Sequence, residues 1–440
     1  MKKGYIFILL FILIITGCAT GAESPENPSV NNSASEPDKN QEADSGSEAE
    51  GEEGNNLGGT ELPGYKDETS EKDTGTYEAE LASMTLEQKI GQLIIAGFSG
   101  TQLAAEEAQF IASGQIGGVI LFGPNVENKH QLLKLINDIK ASNPEGNKPL
   151  FISVDEEGGR VSRLPDGKTE FPSALVIGEQ DDAKLSEEVG RVIGEEVGAF
   201  GFNVDYAPVL DIYSNPDNKV IGNRAFGTTA EEVSTHGIAT MKGLQRAGII
   251  SVVKHFPGHG DTVVDSHESL PVVDKTKAEL EKLELVPFRK AIKEGADMMM
   301  VAHIQYPGID SSGKPASLSP VMITEILREE LHYDGVVVTD DLEMGAIEKN
   351  YGSGEAAVMA LEAGADVVLF GHTPEKASEA YSAIQTAVEE GRMSESEVDK
   401  HVLRILKLKD KYELSDKNLS AEALKKFGSE EHKQIADQIR

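Results

Sequence analysis

"GVVVTDD", Gly335 to Asp341, is an unbroken β-branched run that stops at two carboxylates. A strand with one wet face alternates apolar and polar residues. A continuous apolar run suits a strand covered on both faces, as in parallel sheets. "DMMMVAHI", Asp297 to Ile304, reads the same way. Working outward from these two, the same pattern gives eight strands: Leu93–Phe98, Gly118–Phe122, Leu150–Asp155, Val204–Asp211, Ser251–Phe256, Asp297–Ile304, Gly335–Asp340 and Asp366–Gly371. Amphipathic helical stretches lie between most of them: His130–Ala141, Ala183–Ala199, Ala230–Ala247, Lys277–Lys293 and Gly354–Ala363. This alternation predicts a (β/α)8 TIM barrel of the α/β class, with an open doubly wound sheet as the alternative. No short-period repeat is visible.

Polar residues cluster where the strands end. "FISVDEEGGR" reaches Asp155, "DYAPVLD" reaches Asp211, and "SVVKHFPGHG" runs into a histidine-rich loop. "MMMVAHIQYP" passes His303, and "GVVVTDD" ends in Asp340 and Asp341. In a barrel all these ends share one face, where active sites are built. A single polar strand end is often a cap or a turn. Five on one face are much harder to explain as structure alone.

Asp340 closes a buried strand, so it is held rigidly and partly desolvated. That suits a nucleophile or base, with Asp341 free to cap or support. "KHFPGHGDTVVDSH", Lys254 to His267, holds three of the ten histidines. Residues i and i+2 of an extended loop project to one side, so Asp265 can bond one imidazole nitrogen of His267 and leave the other to donate a proton. A metal set drawn from His255, His259, Asp261 and His267 matches no helical HExxH spacing, and Lys254 beside it disfavours a cation. No GxxxxGK[ST] phosphate loop occurs. Neither metal nor cofactor is therefore expected.

The 440 residues allow one large domain or two ordinary ones, and 39% apolar residues suffice for a sizeable core. Trp is absent, which excludes a Trp-lined platform. Lys2 and Lys3 precede an apolar run, Tyr5 to Ile15, too short to span a bilayer. It predicts a signal peptide over residues 1–17. Ile15-Thr16-Gly17-Cys18 resembles a lipobox, so Cys18, the single cysteine, is the expected lipidation site and membrane anchor. Residues 19–78 hold 16 acidic and 3 basic residues and almost no large apolar ones. Residues 18–78 therefore read as a lipidated Cys and a disordered acidic tether, outside a catalytic domain over 79–413 and a helical tail over 414–440. A net charge of −34 argues against a nucleic-acid partner.

"VDEEGGRVSRL", "FNVDYAPVLDIYSNPDNKVIGNRAFG", "KHFPGHGDTVVDSH" and "VVVTDDLEMGAI" resemble, in order, motifs of the bacterial β-N-acetylglucosaminidases of glycoside hydrolase family 3. The resemblance runs from about Met84 to about Tyr412. It implies Asp340 as nucleophile and His267 with Asp265 as acid/base pair. It implies Asp155, Arg163, Arg224, Lys254, His255 and His303 as sugar-binding positions. The implied enzyme is a monomeric, retaining, exo-acting one on GlcNAc–MurNAc fragments of peptidoglycan, anchored on the outer face of the bacterial membrane. A neutral imidazole would also admit phosphate as acceptor, so phosphorolysis stays open, as does a binding-only lipoprotein. Two departures stand out. Many anchored relatives carry a second α/β domain, whose leading helix "GSEEHKQIADQIR" resembles, and Glu156 replaces a common Gln.

Overall fold

The computed structural model describes residues 74–262, 266 and 269–439. Cys18, the signal and tether segment up to 73, Asp265 and His267 lie outside the described residues. Eight parallel strands form a closed barrel in chain order: β1 Ile94–Gly97, β2 Gly118–Ile120, β3 Phe151–Val154, β4 Val204–Asp205, β5 Ile250–Phe256, β6 Met298–Val301, β7 Val336–Asp341 and β8 Val367–Phe370. Nearly every strand residue is buried, as the continuous apolar runs require. β1 closes the ring against β8, with Ile95 opposite Leu369 and Ala96 opposite Phe370. The open-sheet alternative is thereby excluded.

Three differences from the sequence reading have physical causes. β4 covers two residues instead of eight, because Pro208 offers no N–H to the ladder; beyond it only an isolated bridge, Val209 to Lys254, continues the pairing. The helix read over Lys277–Lys293 is two, Lys277–Lys282 and Leu285–Lys293. The ring of Pro287 would meet the carbonyl of Leu283 in a continuous helix, and Leu283 has left helical angles (φ −128°, ψ −76°). The helix Thr74–Ser83 buries Tyr77 and Leu81 in the core, so the folded part reaches into the segment read as tether.

The helix Glu395–Lys411 starts at a capping box in which Ser394 and Glu397 satisfy each other's backbone N–H groups. Near its end the buried Lys409 donates to Gln92 Oε1 (2.7 Å) and the Gly117 carbonyl (3.1 Å), above the Phe151 ring. Burial pushes its ammonium down to about 7. The tail after this helix packs on the barrel. Asp416 accepts from the Leu150 N–H, Leu424 and Phe427 join the core, and the helix Glu430–Ala436 lays Ile435 on a cluster around Val192 and Leu244.

Candidate active site

The C-terminal strand ends open into a cavity of about 490 Å³, within the range of small-molecule sites. Asp155, Arg163, Arg224, Lys254, His255 and Asp340 all line it. Lys254, carried by β5, is 2% exposed, and its Nζ lies 2.6 Å from Asp155 Oδ1 and 2.7 Å from Glu157 Oε1. Arg224 donates from Nε (2.8 Å) and Nη2 (2.7 Å) to the two oxygens of Glu157. Burying a charge is costly unless it is paired, and this chain of alternating signs pairs each one. Burial alone would raise the Glu157 carboxyl, but Arg224 and Lys254 outweigh it and hold the group far below its ordinary range. The result is a rigid floor with two fixed cations and with Asp155 partly open to the cavity. Such a floor suits the hydroxyls of a neutral sugar, which can donate and accept.

The imidazole of His255 is oriented from below. Its Nδ1 lies 2.6 Å from Asp211 Oδ2, which leaves Nε2 for the cavity. Asp211, fully buried, also accepts the His259 backbone N–H at 2.7 Å. Two partners hold the His259 ring: Thr262 Oγ1 at Nδ1 (2.8 Å) and Ser266 Oγ at Nε2 (3.2 Å). Ser266, the described residue of Asp265-Ser266-His267, lines the cavity, and its carbonyl accepts from Ala346 N–H at 3.1 Å. Among the described residues no group of three or more His, Cys, Asp or Glu is placed to hold a metal ion.

Asp340, next to last in β7, is half-buried, and its Oδ1 accepts the Asp341 N–H at 2.9 Å. Asp341 turns toward β8. Its Oδ1 accepts from the N–H groups of Glu343 (2.9 Å) and Gly371 (3.0 Å), and burial pushes its carboxyl up to about 6. Both carboxylates line the cavity, and Asp341 is in addition tied to the scaffold. Glu156 is not among the cavity-lining residues. Its Oε2 takes the Ser162 hydroxyl (3.0 Å) and the N–H groups of Arg163 (2.7 Å) and Leu164 (3.1 Å).

The structure does not bring His303 to the cavity. It is fully buried, with Nδ1 2.7 Å from Ser317 Oγ and Nε2 2.9 Å from the Asp341 carbonyl. His303, two residues beyond β6, is thus absent from the cavity lining, and its ring sits against the end of β7. Two residues outside the candidate site set belong to the site, one of them, Asp211, already read as a polar strand end on its face. Glu157 is the hub of the cation pair, and Asp211 orients His255. The signal for Asp211 was a carboxylate closing "DYAPVLD"; Glu157 stands third in "DEE", which singles out none of the three acids.

Residues 85–408 match the glycosyl hydrolase family 3 N-terminal domain. The chain belongs to glycosyl hydrolase family 3. A family 3 β-N-acetylglucosaminidase structure from Paenibacillus sp. str. FPU-7 is 43% identical, with a TM-score of 0.77, and is matched over 81% of this chain and 68% of that one. The β-hexosaminidase A of Pseudoalteromonas piscicida is 36% identical over 363 residues, 77% of this chain; the chain spans only 60% of that relative's length. The β-hexosaminidase of Neisseria meningitidis serogroup C is 40% identical over 296 residues, 65% of this chain and 80% of the relative.

Proposed function

We propose that this family 3 member is a retaining exo-β-N-acetylglucosaminidase acting on GlcNAc-terminated peptidoglycan fragments. The observation that carries the reading is one cavity that joins a strand-end carboxylate, Asp340, to a floor of paired charges suited to sugar hydroxyls. Relatives named β-hexosaminidase and β-N-acetylglucosaminidase support the choice of aminosugar.

In the first step an Asp340 oxygen forms a bond to the anomeric carbon while the glycosidic C–O bond breaks. The proton for the leaving oxygen comes from His267, paired with Asp265 as the resemblance implies. In the second step water gives a proton to His267 and its oxygen to the anomeric carbon, and the Asp340–carbon bond breaks. Two inversions return the original configuration. Asp155, Lys254, His255, Arg224 and Arg163 grip the terminal sugar; Glu157 fixes Lys254 and Arg224, and Asp211 fixes His255. Lipid on Cys18 would hold the enzyme outside the cell membrane, near wall fragments.

The test is turnover of p-nitrophenyl-β-GlcNAc and of a GlcNAc–MurNAc fragment, followed by mass analysis of products with and without phosphate and by NMR of the anomer first released. GlcNAc with retained configuration supports the reading. No turnover of either substrate overturns it, and GlcNAc-1-phosphate as the main product replaces hydrolysis by phosphorolysis. Intact-mass analysis of protein from the native membrane fraction tests the anchor: diacylglycerol on Cys18 supports it, and an unmodified Cys18 overturns it.

A further inference from the structure

The loop after β3 carries Asp155, Glu157 and Arg163, and it is held at two places. On the inner side Glu156 closes the loop on its own root through the Ser162 hydroxyl and the Arg163 and Leu164 N–H groups. On the outer side it meets Glu196, a 2% exposed carboxylate on the helix Ala183–Gly198. Glu196 Oε1 takes the Thr169 hydroxyl at 2.6 Å and Oε2 takes the Thr169 N–H at 3.0 Å. The same Oε1 also takes the Gly428 N–H (3.0 Å) and faces His432 Nδ1 (3.0 Å). One carboxylate therefore joins a substrate loop to a segment more than two hundred residues away.

The fit around this node is close. Gly428 has φ +63°, and a Cβ there would stand 1.8 Å from the Gly167 carbonyl, so only glycine lets the tail lie against the loop. Phe427 packs edge-on against Phe200 at 4.9 Å and would touch a Cβ at Gly167 at 3.6 Å. His432, 1% exposed at its side chain, places its other nitrogen 2.9 Å from Glu195 Oε2. Glu195 in turn meets Arg191 (3.0 Å) and Lys426 (3.4 Å), and Glu431 stands 3.9 Å from Arg191. Burial alone would lower the His432 imidazole, but its two carboxylates raise it to about 9.

We propose that Phe427–His432 is a positioning element of the sugar site, fixing through Glu196 the loop that carries Arg163. His432 and Thr169 touch no substrate; they act through that loop. Asp340 sits across the barrel on β7, so loosening the node weakens substrate binding while leaving the bond-breaking step intact. Because the effect on binding rests on Arg163 gripping the sugar, the test reads the loop both with and without turnover.

Hydrogen exchange of peptides covering residues 157–171 is compared in the full chain and in His432→Ala and Thr169→Val, alongside kinetics on p-nitrophenyl-β-GlcNAc. Expected are faster exchange confined to that loop and the tail, and KM raised roughly fivefold, the effect of one lost hydrogen bond, with kcat within about twofold. Thr169→Ser, which keeps the hydroxyl, should restore both readouts, and wild-type KM should rise above about pH 9. Unchanged loop exchange in a folded His432→Ala protein overturns the coupling whether or not the substrate is turned over. Faster exchange with unchanged KM overturns the role in binding. An inactive wild type whose loop still loosens counts against the proposed reaction, not against the coupling.

Discussion

Asp340 and Asp341 show how one residue type meets two environments at adjacent positions. Both line the cavity, but Asp341 Oδ1 is held by two backbone N–H groups, whereas Asp340 Oδ1 accepts the Asp341 N–H. Asp340→Asn should cut turnover of p-nitrophenyl-β-GlcNAc by roughly 10³-fold or more, since an amide cannot form the glycosyl ester. Glu157→Gln tests the floor: it leaves Lys254 and Arg224 buried with one charge too few. That should cost about 3 kcal/mol in urea unfolding and raise KM together with it. Glu156→Gln should behave oppositely. Burial raises the Glu156 carboxyl above its ordinary 4.5, so in the native fold its charge is a penalty, absent below 4.5 and fully felt above the raised value. The amide keeps an acceptor for the three donors, so Tm should rise at pH 8 and match wild type at pH 4. A lower Tm at pH 8 would refute this account of the substitution.

At the scale of elements, the barrel was legible because its strands have no wet face. All eight runs are strands, and β7 ends where "TDD" does. What local pattern could not show was interruption from a distance: Pro208 silencing the ladder after Asp205, and Pro287 reaching back four residues to break a helix. Closure was equally silent in the pattern. It depends on Gly97 of β1, where a Cβ would lie 1.8 Å from the Gly371 carbonyl after β8. Gly97→Ala should therefore cost ~1–3 kcal/mol by overpacking, read as a lower urea midpoint with unchanged m-value. An alanine variant as stable as wild type would show that the β1–β8 seam yields more easily than its backbone contact implies.

At the scale of the whole molecule, the site was half legible. Asp155, Arg163, Arg224, Lys254, His255 and Asp340 stand at strand or loop ends and line one cavity. The hub Glu157 was hidden beside Asp155 in "DEEGG", because which of three adjacent acids turns inward is settled by packing. The seat of the tail was not legible at all: His432 finds Glu195 and Glu196 across 237 and 236 positions of chain. That clip carries a pH signature. Its imidazole is raised from an ordinary 6.5 to about 9, so its contribution is complete below 6.5 and disappears as pH climbs past 9. Wild-type protection factors at peptides 424–436 should fall across that window, and those of His432→Ala should be low and flat from pH 6 upward. Lys409, at the opposite end of the strands, runs the other way. Its amine is held near 7 inside the fold but returns to its ordinary 10.5 when the chain opens, so alkali between those values favours the closed state. Mild base therefore acts as a selective solvent for this molecule, peeling away the outer strap while tightening the foundation of the ring, and titration should resolve two unfolding units where neutral solution shows one.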